Sequence, residues 1–315
     1  MFRLSVIICT HNPRENYLRR VLEGLRVQTL PLAQWELLLI DNASEKTLPE
    51  RFDLSWHPHS RHLLEIKLGK LNAWLQGIRT ARGNILLFVD DDNVLAPDYL
   101  EQALEISHEW PFVGAWGGSL IPEYEKPLPA WVGDQEWRLA VMEVKEDVWS
   151  NLREGFATIP AGAGLCVRRS VAQKYLERCE QNPANTKLDR SGKGMAGYGD
   201  VDLAHCAMDL NLGTGKSKRL QLTHLIPAAR LTLDYFVRQS EGDAFSYMLF
   251  CAIRGLPVQK PRPPTLISSL RNLIHRIIHR TPPEQYEIQK AYHRGLEKGY
   301  QLAMDYLDQN AATEK

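Results

Sequence analysis

Short apolar runs alternate along the chain with stretches whose apolar residues recur every three or four positions. Leu4–Cys9, LSVIIC, is long enough for a buried strand. Thr10, His11, Asn12 and Pro13 follow, and this order predicts a helix capped by Asn12, with Pro13 in its first turn and Glu15 at the capping-box position. Leu18, Val21, Leu22 and Leu25 form one face of that helix. Trp35–Ile40 and Leu63–Leu68 predict two more strands, Leu71, Leu75 and Ile78 mark a helix over 70–81 that Gly83 ends, and Ile85–Val89 is a fourth strand. Phe112–Gly118 and Arg219–Thr223 read as later strands. Leu203, Ala207 and Leu210 lie on one side of a helix terminated by Gly213. Pro283–Leu307 reads as a last helix, with Ile288, Tyr292, Leu296, Gly299, Leu302 and Tyr306 near one stripe. Strand alternating with helix at this spacing predicts βαβ units, hence an α/β fold around a mostly parallel central sheet flanked by helices.

Polar residues gather where the strands stop. The fourth strand runs directly into Asp90, Asp91, Asp92 and Asn93. If the chain stays extended there, Asp90 and Asp92 point the same way. Two hard oxygen ligands on one side suit Mg²⁺ or Mn²⁺. A plain polar strand end leading into a helix at Pro97 and Asp98 is the other reading. Asp41 closes the second strand and Thr10, His11 and Asn12 close the first. In a parallel sheet these three ends meet on one edge, where open α/β sheets hold ligands. Helix capping accounts for any one of them but not for the convergence, which makes a crevice able to hold a nucleotide.

Composition narrows the field. The 315 residues carry 38 basic and 38 acidic side chains, with 44% hydrophobic and 24% charged residues. That is an ordinary globular profile, and nothing in it argues for nucleic acid as a partner. Cys9, Cys166, Cys179, Cys206 and Cys251 are scattered without a C-x-x-C, so neither a zinc site nor a disulfide framework is indicated. The first residues begin a strand directly, with no charged region and cleavage site, and no apolar run approaches the ~20 residues that span a bilayer. The expectation is a cytoplasmic protein.

Other stretches carry chemistry or packing. Residues 121–149 hold Trp131, Trp137 and Trp149 in an irregular segment, which reads as a small core cluster or as a sugar-stacking surface. Gly162, in the run Ala161–Gly164, permits a close backbone approach to a ligand or marks an unusual turn. Residues 188–198 are polar and glycine-rich, a loop leading to Asp200 and Asp202 at the start of the next helix. There the two acids are either functional or first-turn carboxylates favoured by the helix dipole. His224, at the end of a strand, is either structural or a metal ligand.

These pieces, in order, resemble the family 2 glycosyltransferases of GT-A fold: SVIICTHN at 5–12, ELLLIDNAS at 36–44, GKLNAWLQGIRTARGNILLFVDDDN at 69–93, AGAGLCVRRSV at 161–171, GYGDVDLAHCAMDLNLGTG at 197–215 and HLIPAARLTLDYF at 224–236. The resemblance implies a metal-dependent, inverting transfer of a sugar from a nucleotide-diphosphate sugar to a hydroxyl acceptor, a glycan or a lipid-linked molecule. It implies that Thr10 and Asp41 contact the base, with Asn12 beside them and His11 where an aromatic residue often stands. Asp90 then takes the ribose with Asp91 next to it, Gly162 lies by the donor sugar, and Asp92 and His224 hold Mn²⁺ or Mg²⁺. The family often has Glu-Asp where this chain has Gly199-Asp200, so Asp200 inherits the role of base and Asp202 is the fallback. A UDP-sugar is favoured among donors. The rival readings are a non-catalytic nucleotide-sugar binder and a nucleotidyltransferase.

The resemblance implies a transferase domain over 1–243, with a donor half over about 1–118 and an acceptor half over about 119–243. A helical extension then occupies 244–315. Between Ala244 and Pro283 the extension has no acid. Its basic, amphipathic 264–280 predicts peripheral contact with the inner face of a membrane, or packing within a homo-oligomer.

Overall fold

The computed structural model describes residues 2–188, 197–262 and 282–313. The basic segment 264–280 and most of the loop 188–198 lie outside the described residues. The chain forms two units, one of Met1–Glu123, Ala140–Gly192 and Gly199–Ile226, the other of Tyr124–Leu139, Lys193–Tyr198 and Pro227–Lys315.

In the first unit the chain order is β1 (Leu4–Thr10), α1 (Glu15–Arg26), β2 (Trp35–Asp41), β3 (Ser60–Leu64), α2 (Lys70–Thr80), β4 (Ile85–Val89), β5 (Asn93–Leu95) and α3 (Tyr99–Glu109). There follow β6 (Val113–Tyr124), β7 (Val148–Ser150), β8 (Leu165–Arg168), α4 (Arg169–Gln181), α5 (Gly199–Asp209) and β9 (Gly213–Ile226). The strands make one sheet in the order β3-β2-β1-β4-β8-β6-β9-β5, with β7 on β9. β3, β2, β1 and β4 are mutually parallel, and β8 turns antiparallel to β4. β5 and β7 are likewise antiparallel to β9. The parallel half is the βαβ part expected from the spacing.

Period-2 alternation divides the core between the two faces of the sheet. Leu4, Val6, Ile8, Leu37, Leu39 and Leu87 pack with α1 and α3 on one face. Ile7, Leu38, Ile40, Leu86 and Phe88 pack with α2, α4 and α5 on the other. Every residue of β2 and β4 is buried, which is why Leu37–Ile40 and Ile85–Val89 read as unbroken apolar runs.

Three expectations are corrected. The third strand is Ser60–Leu64, not Leu63–Leu68, and Leu64, Ile66 and Leu68 are 60%, 81% and 56% exposed. Their alternation mimics a strand, but Asn42 captures the carbonyls of Glu65 and Lys67 and holds the segment as a loop. β9 extends far beyond Arg219–Thr223 because its first half, rich in Gly, Lys and Ser, pairs with β7 without an apolar pattern. Gly213 opens this strand, and the left-handed residue after α5 is Asn211 at φ 58°.

In the second unit α6 (Leu233–Ile253) starts at Thr232, whose hydroxyl accepts from the Tyr235 amide. It runs unbroken through residue 243. It packs on α7 (Pro283–Thr313) along Ile288, Ala291, Gly295, Gly299 and Ala303. Small residues thus make the seam, and Tyr292, Leu296, Leu302 and Tyr306 flank it half-buried. No helix among the described residues is long and apolar enough to cross a membrane.

Candidate active site

Thr10 and Asp41 are register partners at the carboxyl ends of β1 and β2. Because β1 has β2 on one side and β4 on the other, its end is the switch point where an open α/β sheet has its ligand crevice. The Thr10 hydroxyl donates to an Asp91 carboxylate oxygen, joining the ends of β1 and β4. Asp41 is buried and accepts from the Ser44 amide at 2.9 Å. Asn12, at φ 48°, does not cap α1: its Oδ1 accepts from the Glu45 amide at 2.9 Å, and α1 begins at Glu15 with no side-chain cap. Asparagine tolerates this left-handed turn, which sends its side chain across to the β2 loop. Glu15 likewise pairs with Arg19 rather than with backbone. The His11 Nδ1–H donates to the Asn42 carbonyl at 2.8 Å, which leaves Nε2 to accept from Asn12 Nδ2 at 3.1 Å.

The D-D-D-N run is a turn, not an extension of β4, so Asp90 and Asp92 do not point the same way. The Asn93 amide nitrogen donates to the Asp90 carbonyl at 3.1 Å. The fully buried Asn93 side chain accepts from the Asp90 N–H at 3.3 Å and donates to Asp92 Oδ1 at 3.2 Å. Asp90 therefore faces Lys70, whose Nζ is 2.9 Å from Asp90 Oδ1. Asp92 faces His224, with Nε2 3.6 Å from Oδ2.

Among the described residues no three His, Cys, Asp or Glu side chains are gathered as a metal cluster. The Asp92–His224 pair nevertheless fits one cation: both side chains are at least nine-tenths buried, and their 3.6 Å separation is that of two ligands each ~2.1 Å from a shared ion. An ion that keeps water and phosphate oxygens needs no larger protein set.

Asp200 stands in the first turn of α5, where the helix dipole favours a carboxylate. Its Oδ2 accepts from the Gly162 amide and its Oδ1 from the Val201 amide, both at 2.8 Å. A Cβ at residue 162 would come within 2.8 Å of Asp200 Oδ2, so the glycine is needed for the approach of this carboxylate. Burial raises the Asp200 pKa, while Lys70 and the two amides pull it down and Asp90 pushes it up. Asp202, by contrast, is fully buried and accepts from Asn185 Nδ2 at 3.0 Å.

Asn42, Lys70 and Asn93 were not singled out from the sequence. Lys70 did leave a signal there, because a cation in the first turn of a helix opposes the dipole and requires another reason. The tryptophans divide among settings. Trp131 lies edge-on to Phe236 in the second unit, with ring centroids 5.1 Å apart. Trp149 packs on Phe112 in the first unit, and Trp137 is exposed beneath the Arg138 guanidinium. Arg238 makes a surface pair with Asp234.

Residues 1–349 of Staphylococcus aureus TarS superpose with a TM-score of 0.50 and 14% identity, covering 95% of this chain and 90% of that one; the same holds for its complex with UDP-GlcNAc, at 91% of that chain. At this identity the likeness concerns the fold. EpsH of Bacillus subtilis (strain 168) is 30% identical over 105 residues, 32% of this chain and 29% of EpsH. YwdF of the same organism, an uncharacterized glycosyltransferase, is 28% identical over 100 residues, 32% of this chain and 36% of YwdF. The chain thus spans about a third of the length of these relatives. The family model described as Glycosyl transferase family 2 matches residues 5–173, more than half of the chain. The chain belongs to glycosyl transferase family 2.

Proposed function

We propose that this protein transfers a sugar, with inversion, from a nucleotide-diphosphate sugar to a hydroxyl of a glycan or lipid-linked acceptor. The observation that carries the reading is Asp200: a carboxylate aimed by two backbone amides, with burial raising its proton affinity, in the unit that holds the aspartates at the β4 end. Raised proton affinity is what a general base needs at neutral pH. Asp200 takes the proton of the acceptor hydroxyl as that oxygen bonds to the anomeric carbon, and the bond from that carbon to the diphosphate breaks. Thr10, Asp41, Asp90 and Asp91 line the donor side, with His11 and Asn12 fixing the turn that bounds it. Gly162 serves through Asp200.

Asp92 and His224 would hold Mn²⁺ or Mg²⁺. When bound, the ion neutralises charge on the departing diphosphate. A UDP-sugar is the favoured donor, in keeping with the UDP-GlcNAc complex of the TarS fold relative.

Thermal shift with UDP-, dTDP- and GDP-sugars, with and without Mn²⁺, identifies the donor, since a ligand of the native state raises the melting temperature. With that donor, Asp200→Asn should bind normally and lose about 10²–10⁴ in kcat. Asp202→Asn should lose stability rather than turnover, because the fully buried Asp202 is committed to Asn185. Preserved kcat in Asp200→Asn would overturn the assignment.

A further inference from the structure

Tyr99, the first residue of α3, is 1% exposed, and its ring belongs to the core on the face of the sheet that α1 and α3 cover. A phenylalanine would fill that space without burying a hydroxyl. The hydroxyl has one partner, the Gly164 carbonyl, to which it donates at 2.7 Å. Burial holds its pKa well above the ordinary phenol value, so it remains a donor at any working pH. The start of α3 is itself clamped by Gln28. Its Oε1 accepts from the Leu100 amide at 3.0 Å, and its Nε2 donates to the Ala96 carbonyl at 2.8 Å.

Gly164 belongs to a tight turn. The Leu165 amide donates to the Gly162 carbonyl at 3.4 Å, closing residues 162–165 as a β-turn with Gly164 in third place at φ 71°. Glycine is the residue for that place. A Cβ there would also strike the Tyr99 hydroxyl. Leu165 opens β8 and pairs with Phe88 of β4, which fixes the far end of the turn. The near end is Gly162, whose amide donates to Asp200 Oδ2 at 2.8 Å. The Cys166 thiol, 3.8 Å from the same Gly164 carbonyl, is only a weak donor.

We infer that Tyr99 is a positioning residue: through the Gly164 carbonyl its hydroxyl sets the 162–165 turn, and the turn aims the Gly162 amide at Asp200. The inference rests on the reading of Asp200 as base. A closed β-turn moves as one piece, so a hold on its third residue is felt at its first. Without the hydroxyl the Gly164 carbonyl keeps only the thiol, and the turn is pinned at the β8 end alone. The Gly162 amide then loses its fixed direction, and with it Asp200 loses one of the two donors that orient it.

Full-length protein labelled with ¹⁵N-glycine tests this without a known donor. The Gly162 resonance is the one that Gly162→Ala removes, and the other glycine resonances report an intact fold. Asp200→Asn offers the amide a weaker acceptor and should move the Gly162 amide proton upfield. Tyr99→Phe should move it upfield too, although the lost hydroxyl is bonded to Gly164 and to neither partner of that bond. Fluorotyrosine, with fluorine beside the hydroxyl, is a stronger donor. Incorporated in place of tyrosine it should move the proton downfield, and it carries the test alone if Tyr99→Phe does not fold. With the donor that thermal shift identifies, Tyr99→Phe should lower kcat by up to about 10²-fold, the scale of a ~1 Å misplacement, at an unchanged KM for that donor. An unmoved Gly162 resonance in folded Tyr99→Phe, even with a lowered melting temperature, would reduce Tyr99 to packing and overturn the inference. Wild-type kcat in Tyr99→Phe would do the same, as would an unmoved resonance with fluorotyrosine where Tyr99→Phe is unfolded. A moved resonance with full turnover in Asp200→Asn would sink the base assignment and leave the hold of Tyr99 on the turn. An unmoved one with a dead Asp200→Asn would sink the role of Tyr99 alone.

Discussion

His224 Nε2 lies 3.6 Å from Asp92 Oδ2 because Asn93 and His224 are partners across β5 and β9. The Leu225 amide also donates to the Asp92 carbonyl at 2.8 Å, so the backbone holds both residues whatever their side chains do.

Asp92→Asn and His224→Ala should therefore keep the fold and weaken Mn²⁺ binding at least ~10-fold, the scale on which even outer-shell ligand changes act. Calorimetric titration with Mn²⁺, alone and with UDP-GlcNAc, reads the effect. Metal affinity equal to wild type in Asp92→Asn would remove this carboxylate from the site.

Asn93 should matter for stability more than an average polar residue. Asn93→Ala removes the side-chain acceptor of the Asp90 N–H and the Asn93 donor to Asp92 Oδ1. A loss of about 1–3 kcal/mol in urea unfolding is expected. A change under a few tenths would mean that water replaces the amide at no cost.

Gly162→Ala introduces a Cβ 2.8 Å from both Cβ and Oδ2 of Asp200. The carboxylate must move, so kcat should fall while donor affinity stays near wild type. A defect confined to donor affinity would instead put Gly162 against the donor.

Gly295→Ala probes the helix seam. The added methyl would lie 2.2 Å from the Glu241 carbonyl oxygen, a backbone atom that cannot turn aside. Overpacking of this kind costs about 1–3 kcal/mol. Thermal unfolding should show the loss, and an unchanged melting temperature would mean that α7 can slide on α6 without cost.

His57 gives the protein an acid sensitivity of known sign. It is buried edge-on to Trp35 at 4.1 Å, and its Nδ1 accepts from the His59 amide at 3.1 Å. Burial, then the neighbouring His59, pushes its pKa down to about 4. Above about pH 6.5 the ring is neutral folded and unfolded alike, and there it imposes no penalty. Between about 6.5 and 4 only the unfolded chain takes up the proton, so stability falls as pH falls through that window. His57→Asn keeps an acceptor for His59 and should flatten the melting-temperature curve there. Burial pushes His62 the same way, so some slope should persist. An unaltered slope would show that His57 protonates freely in the fold.

β1, β2 and β4 were legible in the sequence because double-sided burial leaves apolar runs, as at Leu37–Ile40 and along β4. β9 was not, because it spends its first half against the short β7 with Gly, Lys and Ser facing partners that no local pattern records. The meeting of the polar ends of β1, β2 and β4 on one edge was legible from residue type and strand order. What stayed hidden was direction: the D-D-D-N turn sends Asp90 toward α2 and Asp92 toward β9, and only the long-range register of Asn93 with His224 decides that. The partners of Asn42 and Lys70 were hidden for the same reason, lying 23 to 27 and 20 positions away along the chain.

Asn42 has one more consequence. Its side chain donates to the Glu65 and Lys67 carbonyls at 3.2 and 2.9 Å and accepts from the Gly69 amide at 2.8 Å, fastening the 65–69 segment to the end of β2. A segment ordered in advance has little chain entropy left to lose when the proposed donor arrives. Association should then proceed at the rate of encounter rather than of loop closure, with a small entropic penalty in the heat of binding.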